Sequence, residues 1–199
     1  MSNWFCINLD ERTDRLKDIV IQMEELNYDF ERFPAIKHIN GAVGCMKSHI
    51  RCLELAIEKK LPYVVIMEDD CEFLIDKSKI DFYINEFLKT ESPCFVFGGT
   101  YSKLENFNEI FSRARYIKTC TCYIVKNHYF NKLLDIWNKN VMLLEKTGHH
   151  WNYACDVVWT KLQENDLWLT PNNIKAIQQK PSYSNIEKKN VDYCKLFDR

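Results

Sequence analysis

The chain has 199 residues, with 27 basic and 28 acidic side chains and nine cysteines. That length suits a single domain spanning residues 1–199. A 46% hydrophobic content with 14% aromatics excludes a mostly disordered chain, and a net charge of −1 supplies no bulk field for nucleic acid or an acidic membrane.

The opening MSNWFCINLD lacks the basic, apolar and small-residue regions of a secretory signal. No apolar run approaches the ~20 residues that span a bilayer. Nine is an odd number of cysteines and no CxxC occurs, so free thiols in a reducing compartment are expected rather than a disulfide framework. A cytoplasmic setting follows, the host cytoplasm if the source is viral.

Trp4 to Leu9 reads as a first buried strand. Leu16, Ile19, Val20, Met23 and Leu26 recur at helical spacing, and a short FERF segment then stops at Pro34. From Gly41 the pattern is helical again, with Met46, Ile50, Leu53 and Ile57 on one stripe. The β-branched run VVIM predicts a central strand covered on both faces, closed by Glu68-Asp69-Asp70. Ile80, Tyr83, Ile84, Phe87 and Leu88 form a helix pattern, and Cys94 to Phe97 a strand ending at Gly98-Gly99. Residues 101–115 read as a polar loop, and Tyr116 to Val125 as strand-like. Asn127 can cap a helix bearing Phe130, Leu133, Leu134 and Trp137. A helix across Asp156 to Glu164 and an LWLT strand ending at Pro171 follow, and the last 20 residues read as a polar surface run. Alternating strands and helices predict an α/β fold with a mostly parallel central sheet.

Four segments carry possible chemistry. The acidic triplet directly follows a buried strand, where open α/β sheets bind ligands. Alternation along extended chain would point Glu68 and Asp70 one way and Asp69 the other. Two carboxylates at a strand end suit Mg²⁺ or Mn²⁺, which would offset a diphosphate; an acidic turn capping the next helix is the plainer alternative. GAVGCMKSH, Gly41 to His49, allows close backbone approach before a helix but is neither a P-loop nor a GxGxxG. Its Cys45 and His49, with Cys52, fall on one helix face; no fourth zinc ligand is evident, so packing is the favoured reading. Arg12 and Arg15 beyond Asn8-Leu9-Asp10 suit a base or phosphate, against a plain helix start capped by Asp10. Asp156 suits a general base, against a helix-dipole partner, and His149-His150 precede it in a loop.

The order INLDERTDR, GAVGCMKSH, VVIMEDD resembles glycosyltransferase family 25, which includes bacterial lipooligosaccharide galactosyltransferases and collagen hydroxylysine galactosyltransferases. The resemblance rests on Ile7 to Arg15, on Gly44, Cys45, Ser48 and His49, and on Met67 to Asp70. It extends more weakly through Gly98-Gly99, Thr121 to Lys126, Asp156 and Ser184-Asn185-Ile186, where Asn185 replaces the family's acid. It implies a GT-A type fold that binds a UDP-sugar, with the triplet as a DxD-like motif for Mn²⁺ or Mg²⁺. Asp70 would be the direct ligand, Glu68 would assist, and Asp69 would reach the ribose. Asn8, Leu9, Arg12 and Arg15 would line the nucleotide pocket, Ser48 and His49 would border the ribose or diphosphate, and Gly99 would adjoin the donor.

The resulting expectation is inverting transfer of a hexose, most often galactose in the family, to a hydroxyl of a glycan, lipid-linked or protein acceptor. Asp156 would be the base. Two rivals remain. A metal-dependent nucleotidyltransferase should carry a Gly- and Lys-rich signature near the first strand, which INLDERTDR lacks. A non-catalytic nucleotide-sugar or glycan binder on the same scaffold would not need the intact triplet.

Overall fold

A computed structural model describes residues 2–184 and 186–197; the resemblance noted at Asn185 lies outside the described residues. The chain alternates as the sequence predicts through its first half. Strand β1 (Trp4–Asn8) leads to helix α1 (Thr13–Glu25), strand β2 (Glu31–Pro34), helix α2 (Gly41–Glu58) and strand β3 (Tyr63–Glu68). Then come β4 (Cys71–Phe73), α3 (Lys77–Leu88), β5 (Cys94–Val96), β6 (Thr100–Asn106), β7 (Phe111–Lys118) and β8 (Cys122–Lys126). The remainder is α4 (Phe130–Thr147), three short helices α5 (His150–Tyr153), α6 (Cys155–Val158) and α7 (Thr160–Asn165), and strands β9 (Trp168–Pro171), β10 (Ile177–Gln179), β11 (Ser182–Ser184) and β12 (Lys189–Val191).

Eight strands make one sheet in the order β2-β1-β3-β8-β5-β9-β7-β6. Six of them point the same way, and only β8 and β7 run against the rest. The VVIM strand is central, between β1 and β8. Side chains alternate across the sheet. Phe5, Ile7, Val64, Ile66 and Tyr123 face α2 and α4, whereas Trp4, Cys6, Val65, Met67 and Ile124 face the layer of α1 and α3. A strand buried on both faces explains why its sequence is continuously apolar.

Helix α2 begins where the Asn40 side chain accepts from the Ala42 backbone N–H at 3.1 Å, and α3 where Asp76 accepts from that of Lys79 at 2.9 Å. Helix α1 starts after Arg12, so Asp10 is not its cap. Asn127 opens a 3₁₀ turn ahead of α4 without capping it by its side chain.

The second half departs from the sequence reading. Residues 101–115 are not a loop: β6 and β7 pair antiparallel, with Leu104 opposite Ala114 and Glu105 opposite Arg113. This hairpin is the sheet edge, where charged side chains are tolerated on the open face, so its polarity conceals a strand. Tyr116 to Val125 is two strands, not one. The chain steps sideways through Thr119, at φ 83°, and resumes in the same direction, because β7 pairs with β9 while β8 lies between β3 and β5. The expected helix from Asp156 to Glu164 is interrupted at Trp159, whose indole is wholly buried and donates to the Ile117 carbonyl at 2.8 Å. The described part of the final 20 residues does run mostly over the surface, but it carries a pairing the sequence did not show, β11 with β12, just after β10 pairs with β4.

Candidate functional site

The ends of β1 and β3 lie side by side, with Ile7 opposite Glu68, and both chains turn away from the sheet there. Asn8 is almost fully buried and fixes this junction. Its Nδ2 donates to the Arg12 carbonyl at 3.0 Å and to Asp69 Oδ2 at 2.7 Å, while its Oδ1 accepts from Arg32 Nε at 2.9 Å. The motif INLDERTDR is therefore tied to the acidic triplet by direct contact.

Strand β3 stops at Glu68, so the alternation expected of the triplet does not continue through it. Glu68 and Asp70 do not share their contacts. Glu68 Oε1 meets His49 Nε2 at 3.4 Å and Cys45 Sγ at 3.5 Å, toward α2. Asp69 and Asp70 instead both accept from Arg15 Nη1, each at 2.9 Å. Arg15 also donates from Nη2 to Ser182 Oγ and the Tyr183 carbonyl, fastening β11 over the site. The other oxygen of Asp70, Oδ1, is buried without a partner.

Burial raises two of the three acids, whereas for Glu68 the contacts with His49 and Cys45 outweigh burial and lower it. Burial pushes the Asp70 carboxyl up to about 7, and the Glu68 charge adds to this against the pull of Arg15. Burial likewise raises Asp69. Burial alone would lower His49, yet its contacts with Cys45 and Glu68 prevail and hold it at about 9. A hard cation suits such a set: several carboxylate oxygens, one of them an orphan, face a single guanidinium. The residues present fit a Mn²⁺ or Mg²⁺ ion.

A cleft of about 310 Å³ opens in front of the triplet, walled by Leu9, Arg12, Arg15, Ile36, Asp70 and Lys180 among others. It adjoins a second cavity of about 380 Å³ that holds Lys118, Thr119, Trp151 and Asp156. Cys45, Glu68, Gln179 and Tyr193 line both. Asp156 Oδ2 accepts from the Thr119 backbone N–H at 3.1 Å, and burial raises its carboxyl.

Leu9, Arg12, Arg15, Glu68, Asp69 and Asp70 thus converge on one cleft, with Asp156 in the chamber beside it. Ser48 and His49 do not line either cavity and are wholly buried. Ser48 Oγ donates to the Gly44 carbonyl at 2.7 Å and accepts from the Ile36 backbone N–H at 2.8 Å. A Cβ at Gly44 would run into the Ile36 carbonyl. The motif GAVGCMKSH therefore seats the segment of residues 35–38, which itself forms the cleft wall. Gly99 is also outside both cavities; a Cβ there would collide with the Lys118 carbonyl and Ile117, so it permits the close approach of β7.

Sequence reasoning missed Cys155 and the wall formed by residues 35–39, and of the strap β11 it found only Ser184. The strap lies in a polar tail with no periodic signal, and Cys155 is 110 residues from Cys45, which it meets at 3.9 Å. Cys52, the sequence candidate for that neighbourhood, is buried in the core instead.

Residues 39–147 match the family described as glycosyltransferase family 25 (LPS biosynthesis protein). A comparison with curated proteins finds no match. Among solved structures, A197 from STIV superposes with a TM-score of 0.50 at 13% identity, over 94% of this chain and 91% of that one. Mannose-1-phosphate geranyltransferase from Thermus thermophilus gives 0.46 at 6% identity, over 84% and 58%. A glycosyltransferase involved in the glycosylation of the major capsid of PBCV-1 gives 0.44 at 10% identity, over 85% and 91%. Among the described residues, no helix is long and apolar enough to cross a membrane.

Proposed function

The chain belongs to glycosyltransferase family 25, and from that premise we propose that residues 1–199 form one catalytic domain moving a hexose, galactose foremost, from a UDP-sugar to an acceptor hydroxyl. The observation that carries this reading is the buried, unpartnered Oδ1 of Asp70 at the mouth of a cleft lined by Arg12 and Arg15. Asp70 would hold Mn²⁺ or Mg²⁺, with Glu68 assisting, while Asp69 stays on Asn8 and Arg15. When bound, the ion supplies positive charge opposite the diphosphate.

The protein's own groups account for the rest. Leu9, Ala35, Ile36 and Ile39 give an apolar wall for a base, and Arg12, Arg15 and Lys180 stand where anionic oxygens would lie. The second cavity has room for an acceptor beside Asp156. Asp156 would take the acceptor hydroxyl proton as that oxygen bonds to the anomeric carbon. The bond from that carbon to the diphosphate breaks, UDP leaves, and the configuration inverts. Burial favours this role, since a raised carboxyl is a better base near neutral pH. The acceptor is a glycan, lipid-linked or protein hydroxyl, and lipopolysaccharide-type glycans fit the family description.

The test is incubation with UDP-galactose, UDP-glucose, UDP-N-acetylglucosamine and UDP-xylose, each with Mn²⁺ or Mg²⁺. Release of UDP from one sugar, abolished by chelator, is the expected result. Tight UDP binding without any release would make the protein a binder, and pyrophosphate chemistry would make it a nucleotidyltransferase.

A further inference from the structure

Behind the acidic triplet is a second group of donors with different chemistry. Cys45 Sγ, a ring nitrogen of His49 and Cys155 Sγ lie within 4.8 Å of one another. They come from α2 and α6, and Glu68 at the end of β3 touches two of them. We propose that Cys45, His49 and Cys155, with Glu68 Oε1 completing the shell and the other oxygen of Glu68 left to the acidic triplet, bind one zinc-type divalent ion.

Three edges of the group match those of a ligand tetrahedron. With Zn–S near 2.3 Å and Zn–N and Zn–O near 2.0–2.2 Å, the edges of such a shell are about 3.8 Å for S–S, about 3.6 Å for S–O and about 3.4 Å for N–O. The corresponding separations are 3.9 Å for Cys45–Cys155, 3.5 Å for Cys45–Glu68 and 3.4 Å for His49–Glu68. Thiolate and imidazole select a borderline-soft metal, unlike the oxygen set at Asp70, so the two sites discriminate by donor type.

His49 is prepared as a ligand. Its Nδ1 lies 2.9 Å from the Tyr123 hydroxyl, and that contact turns Nε2 toward Cys45 and Glu68. The ring is also held between Tyr123 and Trp137. The site has entry paths, because both cavities reach Cys45 and Glu68, and the second reaches Cys155. Thiols carry their protons near neutral pH until a metal binds. The incoming ion displaces those protons to solvent and bonds to the two thiolates. Its structural effect is to fasten α6 to α2 and β3, and Asp156 follows Cys155 directly.

The ion site does not depend on the UDP-sugar reading, and its test contains no nucleotide. Cobalt(II) is titrated into the reduced, metal-free full chain, and thiolate-to-cobalt charge-transfer absorption is read. One equivalent should produce that absorption, and zinc should bleach it. Cys45→Ser and Cys155→Ser should lose it, and Cys194→Ser should retain it. Tyr123→Phe, which removes only the Nδ1 partner, should weaken affinity about 10- to 100-fold. Zinc should also protect Cys45 and Cys155 of the unaltered chain from alkylation, read by mass spectrometry, which needs no variant to fold. Absence of charge transfer in the unaltered chain, or its persistence in both folded serine variants, overturns the proposal. Cobalt held only by the acidic triplet would give no thiolate band and counts as the same refutation.

Discussion

Arg15 donates to one oxygen of Asp70 at 2.9 Å and leaves the other oxygen of that carboxylate buried and unpartnered. This asymmetry organises the cleft. The guanidinium holds the carboxylate in place and compensates only part of its charge, and the free oxygen is the one position where a cation gains most.

The pH dependence of that cation follows. Asp70 is raised from an ordinary 3.8 to about 7, so the metal-free protein gains protons relative to the unfolded chain between those values. A raised carboxyl contributes stability that is complete below the unfolded value and is lost as pH rises through about 7. Mn²⁺ must displace that proton. Its affinity should therefore rise about tenfold per pH unit below the folded value and level off above it. Calorimetric Mn²⁺ titration from pH 5.5 to 8 checks this, and a flat profile would remove Asp70 from the ligand set.

Asp156→Asn should leave UDP affinity within about twofold while slowing transfer by about 10²- to 10⁴-fold. The variant keeps its oxygen for the Thr119 N–H, so the β7–β8 turn should persist. Stopped assays of UDP release alongside UDP titration separate the two effects. Full turnover would end its assignment as base.

Gly44→Ala should cost about 1–3 kcal/mol in urea unfolding, because the new methyl meets a backbone oxygen at Ile36 rather than a movable side chain. Displacing residues 35–38 should also weaken UDP binding, since Ile36, Lys37 and His38 line the cleft. An undisturbed UDP affinity with lowered stability would confine Gly44 to the fold.

Particular residues show what was legible in the sequence. VVIM and the triplet could be read because a strand covered on both faces must be apolar and must end where chemistry begins. The β6–β7 hairpin could not, since an edge strand need satisfy only one apolar face and Lys103, Glu105 and Arg113 mask it. Within the site, Asn8, Arg15 and the triplet were found as motifs, yet their connection through Asn8 Nδ2 and Arg15 Nη1 is a matter of 54 to 61 residues of separation. Ser48 and His49 show the converse. A motif adjacent to a ligand marks residues that hold the wall in place as readily as residues that touch it, and spacing alone does not separate the two. Cys155 carried no local signal, because its partners Cys45 and His49 belong to another helix.

The most direct measurement is UDP binding by titration calorimetry, with and without Mn²⁺, for the unaltered chain and for Asp70→Asn. The unaltered chain should bind UDP about 10²-fold or more tightly with Mn²⁺, in line with the worth of a preorganised counter-charge. Asp70→Asn should bind UDP equally weakly whether or not Mn²⁺ is present. A Mn²⁺-enhanced affinity that survives in Asp70→Asn would contradict the account.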